Sequence, residues 1–483
     1  MASFVSMNYI RGSDREEMLL LPEALEDYIG PENPVRFIDA FVGQLELKEA
    51  GFARAELPET GRPPYDPGDL LRLYLYGYLN RVRSSRGLER EAARNLELIW
   101  LLRKLRPDFK TIADFRKENG PGIKRVCRDF SLLCRKLELF GGELVAIDST
   151  KIKAQNSKGR NYSAARVQAL LREVEKNVGS YLEELDQVDA EEGKEARPER
   201  LSAAELEEKI AQLKQRKEQL KALAQEVEEK GQVSLSDPDS RAMSMGHGSQ
   251  VGYNVQVAVE AKHSLIIATE VTQTTSDLNA LGRMALQAQE ALGREKRLSV
   301  VADKGYYNGK EILLCEEIGV TPYVSKPMTS ANTARGLYGK ERFRYDPQKN
   351  CYICPAGAKL TYRFSTNELG RAISYYETKA CGQCGLKAQC TRNKENRRIT
   401  RLAGEEVQEK MAERVRHNPQ LMRRRKALIE HCFGTIKRSF GYDYFLCRGK
   451  EKVTTEINLT VLAYNLKRVC NLLGVQNLIA ALS

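Results

Sequence analysis

The stretch GGELVAIDSTKIKA, residues 141–154, decides the class of fold. A glycine pair precedes the apolar run 144–147, which is too short for a helix and bounded by turn formers, so it reads as a buried strand. Asp148 closes the run, and strand ends in open sheets are where ligand and metal residues collect. Residues 163–231 interrupt the pattern, which resumes at VGYNVQVAVEAKHSLIIATEVTQ (251–273). There Val255, Val257 and Val259 alternate with polar or small residues, a short turn follows, and 265–271 returns as a second strand. A helix over 276–293 leads into RLSVVADKGYYNG (297–309), whose strand 298–301 runs up to Asp303. A helix over 309–318 and the strand VTPYVS come next. This order predicts an α/β protein layered around a mixed sheet.

The last element of that order is RKALIEHCFGTIKRSFG, residues 425–441. At 3.6 residues per turn Ile429, Phe433, Ile436 and Phe440 make one apolar stripe, so the segment is a helix docked on a core. Glu430 lies beside the stripe, Lys437 is two turns further on, and Gly434 between them leaves the backbone open to approach. Two aspartates at strand ends and a glutamate on a covering helix can meet at one edge of a sheet. Oxygen-only ligands suit Mg²⁺ or Mn²⁺, and two such ions about 4 Å apart activate an attacking oxygen and stabilise the leaving one in phosphodiester chemistry. Lys151, Lys153, Lys304, Lys437 and Arg438 are placed to hold the phosphates of double-stranded DNA around such a centre. The plainer alternatives are that Asp148 and Asp303 cap the elements after their strands, and that Glu430 belongs to a solvated charge pattern.

Charge agrees with a polyanionic partner. The 483-residue chain has a formal net charge of +12 and a sequence pI near 9.0, which alone does not separate nucleic acid from an acidic membrane surface. Its distribution is uneven: 161–230 holds 12 basic and 17 acidic residues, whereas 416–452 holds 10 basic and 3 acidic, concentrating positive charge around Glu430. No apolar run reaches the roughly 18–20 residues that cross a bilayer, and MASFVSMNYIRGSDREE has no apolar signal region, so a soluble, cytoplasmic protein without membrane contact is expected.

Three other regions have their own character. The first 140 residues read as short helices; Ser84 and Ser85 precede one, Pro107 closes another, and Thr111 is placed to cap a third. Arg81, Arg83, Arg86, Arg90, Arg94, Arg103 and Lys104 on them suit either a helix-turn-helix DNA reader or an ordinary bundle with a basic surface. In 161–231, Val167, Leu171, Val174, Val178, Tyr181, Leu185 and Val188 form one heptad seam and Leu206, Ile210, Leu213, Leu220 and Val227 another; Ser202 with Glu205 makes a capping box. That is an inserted antiparallel helical hairpin, with DAEEGKEARPER as connector. Of eleven cysteines, five (Cys351, Cys354, Cys381, Cys384, Cys390) fall together, and two Cys-x2-Cys pairs have the spacing of structural zinc. His247 and His263 are isolated and read as ordinary polar residues.

VAIDSTKIKA, DPDSRAM, GYNVQVAVE, VVADKGYYNG and IEHCFGTIKRSFGYDYFLCRGKEKVTTEINLTVLAYNLKR together resemble the blocks of bacterial insertion-sequence transposases of the DDE type, nearest to the IS1182 family within the IS4/IS5-like group. The resemblance implies an RNase H-like catalytic core with Asp148, Asp303 and Glu430 as its triad. It implies a divisible chain: a helical DNA-binding part at 1–140, a core begun by 141–160 and 232–328, a hairpin at 161–231, a Cys-rich insertion at 329–415, and C-terminal helices at 416–483 that complete the core. Related enzymes carry Tyr-x2-Arg-x3-Glu-x6-Lys on the last helix; here those positions are Arg423, Lys426, Glu430 and Lys437, so the tyrosine is missing and lysine stands for arginine. The family spacing also implies Cys354, Cys381, Cys384 and Cys390 as the zinc set. The implied activity is cleavage at inverted repeats and strand transfer into target DNA, with two Mg²⁺ (or Mn²⁺) ions, a structural Zn²⁺, transposon-end and target DNA as partners and a homodimer on DNA; Arg86 joins the DNA contacts. Rival readings are a catalytically silent DNA-binding derivative, a nuclease without strand transfer, and a coiled-coil scaffold.

Overall fold

The computed structural model describes residues 24–56, 63–156, 158–190, 201–246, 248–293, 297–327, 330–368 and 371–482; His247 and most of the hairpin connector lie outside them. The chain divides into two compact units, Met1–Phe115 with Val469–Ser483, and Arg116–Arg468.

The first unit is helical, and its helices begin where short polar side chains satisfy otherwise unpaired backbone N–H groups. Asn33 accepts from the Val35 amide ahead of Pro34–Gly43, Asp66 from Gly68 ahead of Pro67–Leu79, and Ser84 from Gly87 ahead of Ser85–Arg94. The helix Phe109–Glu118 starts earlier than its Thr111 suggested: Asp108 accepts from the amides of Lys110 and Thr111, and the Thr111 hydroxyl donates to the same carboxylate. Leu96–Leu101 ends well before Pro107, because Arg103 and Lys104 take left-handed backbone conformations. Phe37, Ile38, Leu71, Tyr74, Tyr78, Leu88 and Leu98 are buried, and the Tyr74 hydroxyl donates to the Ile112 carbonyl at 2.7 Å. Gly77 permits the tightest approach in this unit: a Cβ there would stand 2.5 Å from the Val82 carbonyl oxygen and 2.3 Å from Leu88 Cδ2. Gly77→Ala is therefore expected to destabilise the unit by about 1–3 kcal/mol through overpacking, read as a lower urea midpoint at unchanged slope.

The second unit is built on a six-stranded mixed sheet: β1 (Leu144–Lys153), β2 (Arg241–Met245), β3 (Gly248–Glu260), β4 (Ile266–Thr272), β5 (Leu298–Ala302) and β6 (Val320–Val324). The order across it is β4-β3-β1-β5-β6, with β2 pairing the start of β3; β1, β3 and β4 run antiparallel, and β5 and β6 lie parallel to β1. One face is closed by the helices Leu281–Leu292, Gly309–Glu317 and Glu405–His417 over Val145, Ile147, Ala258, Val300 and Ala302. The helix Pro419–Gly434 packs on β1 and β5. Asn465, on the helix Lys450–Leu473, both accepts from the Ile266 amide and donates to its carbonyl, pairing the first residue of β4.

Two insertions interrupt this layer. The helices Ala164–Ala190 and Ala203–Lys230 pack on each other within the chain, burying Val167, Val174, Leu206, Ile210, Leu220 and Val227. The Ser202–Glu205 capping box forms as the sequence predicts. Between β6 and the helix Pro419–Gly434 stands a second, five-stranded antiparallel sheet of Arg344–Asp346, Cys351–Ile353, Lys359–Glu368, Arg371–Glu377 and Arg398–Leu402, which the sequence reading lacked. Its core is Phe343, Tyr352, Leu360, Tyr376 and Ile399. Arg401 joins it to the next helix, pairing bidentately with Glu409 (2.7 and 2.8 Å) beneath the Tyr345 ring. Among the described residues no helix is long and apolar enough to cross a membrane.

Candidate active site and cysteine cluster

Parallel pairing of β1 with β5 sets Ile147 opposite Ala302, so Asp148 and Asp303 stand at the same level; β5 ends there, but β1 does not end at Asp148 as the sequence suggested, since it stays paired with β3 as far as Lys153. Asp148 is mostly buried, accepting from the Ser149 amide (2.7 Å) and from the Arg425 guanidinium (2.5 Å). Burial pushes its carboxyl up to about 6 and the neighbouring Asp303 charge adds to the rise, against the opposing pull of the Ser149 amide and Arg425. Asp303 accepts from the Gly305 amide at 2.7 Å and caps the turn Lys304–Tyr306, so the capping role that sequence alone allowed is real. The two acids feel each other's charge at a buried strand edge, and hard oxygen donors in excess of local positive charge fit a divalent cation.

Glu430 stands apart from this pair. Its side chain is 66 % exposed and its cation is Lys426, 3.6 Å away on the same helix. The reason is rotational: Leu428, Ile429 and Cys432 are buried and Arg425 points inward, which turns Glu430 to the side. Beyond Gly434 the helix passes into a π-helical turn, Thr435–Ser439, so Lys437 is not stacked two regular turns above Glu430. Instead Lys437 is half-buried, donates to the Lys151 carbonyl at 3.3 Å, and has its pKa lowered by desolvation. A Cβ at Gly434 would meet nothing within 4 Å, so that glycine faces open space rather than a close neighbour. In this conformation Asp148 and Asp303 fit a metal and Glu430 does not. Among the described residues, no three or more His, Cys, Asp or Glu side chains form a ready-made metal cage.

Of the basic candidates, Lys153, Lys304 and Arg438 are exposed and Lys151 is half-buried. The backbone of Lys153 pairs with Asp443 and Phe445, on the edge of β1 that β5 leaves free after Ile147. Arg86, in the first unit, is exposed and lies over the Phe109 ring at 5.2 Å. Others there serve structure: Arg103 pairs with the buried Asp69 and Arg94 with Glu91.

Cys354, Cys381, Cys384 and Cys390 line one small cavity together with Tyr338, Phe343 and Leu360, whereas Cys351 is buried elsewhere in its strand. Tight turns present them: Gly357 donates to the Cys354 carbonyl and Lys387 to that of Cys384. Burial, with the three other thiols nearby, raises the Cys390 pKa. The thiols line the cavity without coming together as a ready-made metal cage; as a set of four soft donors they are of the type that Zn²⁺ takes.

Sequence reasoning missed two participants. Arg425 was legible from its spacing, since it precedes Ile429 and Cys432 by four and seven residues on the inward face. Asp277 carried no such signal. Its TTSDLN setting between strand and helix reads as a cap, yet its carboxylate accepts from Ser149, Asn254 and Gln256.

Residues 353–470, which span the cysteine cluster and the Glu430 helix, match the family model described as "Transposase DDE domain". Residues 23–118 match the one described as "Transposase domain (DUF772)". The two matches lie in the C-terminal and N-terminal parts of the chain, and each covers less than half of it. Among solved structures it is similar to a piggyBac transposase synaptic complex with hairpin DNA, determined by cryo-EM, at 8 % identity over 93 % of this chain and 79 % of that one, with a TM-score of 0.31. A likeness that low bears no weight on fold or function. None of the curated proteins compared matches it.

Proposed function

We propose that the protein is a DDE transposase of the IS1182 kind, with an RNase H-like core, that cuts DNA at the inverted repeats of its element and joins the ends to target DNA. The observation that carries this reading is the pair Asp148 and Asp303, placed side by side by the β1–β5 register beneath an arginine-rich helix, in a chain with transposase domains. The strand order β4-β3-β1-β5-β6, three antiparallel strands followed by two parallel ones, supports the core assignment.

A pair of Mg²⁺ ions held by Asp148 and Asp303 would supply Lewis-acid activation of the attacking oxygen and stabilisation of the leaving oxygen. Asp148, ionised and freed from Arg425, is one anchor; Asp303, oriented by the Gly305 amide, is the other. Glu430 completes the set only after its helix turns, releasing Lys426. Lys151, Lys153, Lys304, Lys437 and Arg438 hold backbone phosphates near the scissile bond, and Arg86 contacts DNA from the first unit. Cys354, Cys381, Cys384 and Cys390 hold a structural zinc, and a homodimer assembles on the two ends.

The test is incubation of the full-length protein and Mg²⁺ with DNA bearing the inverted repeats that flank its coding sequence. Nicks leaving 3′-hydroxyls, followed by joints to target DNA, are expected. Binding without cleavage would favour a silent DNA-binding derivative, a reading to which the outward Glu430 lends weight; cleavage without joints would favour a nuclease.

A further inference from the structure

Asp277 sits in the loop between β4 and the helix Leu281–Leu292, and its half-buried carboxylate is fully engaged. One oxygen accepts from Asn254 Nδ2 (2.7 Å) and Gln256 Nε2 (2.5 Å), both fully buried on β3; the other accepts from Ser149 Oγ (3.0 Å) on β1. Ser149 is the residue whose amide donates to Asp148. Gln256, through its other end, accepts from the buried hydroxyl of Tyr306, which lies in the turn that Asp303 caps. A single carboxylate is thus tied to both candidate acids: through Ser149 to Asp148, and through Gln256 and Tyr306 to the Asp303 turn. The tie has no apolar substitute, because removing the carboxylate takes the acceptor from the Gln256 amide and the Ser149 hydroxyl and leaves the buried Asn254 amide only its bond to the Thr274 carbonyl.

We propose that Asp277 is a positioning residue that fixes the separation of Asp148 and Asp303 and thereby sets how tightly the pair takes up a divalent cation. It is not itself a ligand. This rests on the reading of Asp148 and Asp303 as the metal-binding acids. The cost of a strut built of hydrogen bonds is sensitivity to small displacement, since hard cations tolerate little error in the spacing of their oxygen ligands.

Mn²⁺ binding to the full-length protein without DNA, followed by the paramagnetic resonance signal of the free ion, tests it. Asp277→Ala is expected to weaken binding about tenfold or more, while Asp277→Asn, which keeps the contacts if the Ser149 hydroxyl turns to accept, restores affinity to within about threefold of wild type. Wild-type affinity in Asp277→Ala would overturn the strut and leave the metal site standing. Binding by the unaltered protein that Asp148→Asn does not reduce would overturn both. Should Asp277→Ala fail to fold, Ser149→Ala and Tyr306→Phe each remove one arm; weaker binding in either supports the proposal, and unchanged binding in both overturns it.

Discussion

Asp148→Asn and Asp303→Asn are each expected to lower DNA cleavage in Mg²⁺ by about 10³-fold or more while leaving DNA binding within about twofold. The size follows from what each carboxylate does. Asn preserves the shape of Asp148 and its acceptor for the Ser149 amide, but removes the charge that holds a divalent ion. A loss of about 4 kcal/mol in transition-state stabilisation corresponds to that factor. Binding is spared because phosphate contacts come from surface lysines and arginines, and removing an acid beside them does not weaken their attraction for DNA. Gel-shift and cleavage assays on the same end-containing duplex separate the two effects. Cleavage retained in Asp148→Asn would remove that residue from the chemistry.

The second large effect concerns the cysteines. The purified protein is expected to carry about one zinc per chain, measurable by elemental analysis. Cys381→Ser and Cys384→Ser should lose it, whereas Cys351→Ser, whose thiol is buried away from the cavity, should keep it. Structural zinc contributes about 10 kcal/mol or more of apparent binding free energy, so its loss should unfold the surrounding segment. The core of Phe343, Tyr352, Leu360, Tyr376 and Ile399 is small, so hydrogen-exchange protection across 344–402 should fall sharply with chelation. Zinc lost from Cys351→Ser and kept in Cys354→Ser would contradict the assignment.

The central strands were legible because their physics is local. The run 144–147 is apolar on both faces and buried, 298–302 is apolar apart from Ser299, as strands covered on their faces tend to be, and an aspartate follows each. The second sheet gave no comparable signal. Along Lys359–Glu368 only Leu360 is buried, so no alternation of apolar and polar residues marks the strand. The helix bearing Glu430 was legible in its apolar stripe, and that stripe already placed the acid to one side. What a regular period does not reveal is the π-helical turn after Gly434, which breaks the expected stacking of Lys437 on Glu430. Asp277 was hidden for a different reason: a polar loop residue announces a cap equally well whether it bonds to its own backbone or, as here, to side chains 21, 23 and 128 residues away.

The central claim is that Asp148 and Asp303 share a divalent-ion site and that the bound ion displaces Arg425 from Asp148. Anomalous diffraction from Mn²⁺-soaked crystals of the unaltered protein tests it most directly. The expected result is a peak between the two carboxylates with the Arg425 guanidinium displaced from Asp148; an ion bound only elsewhere, with Arg425 still on Asp148, would contradict it.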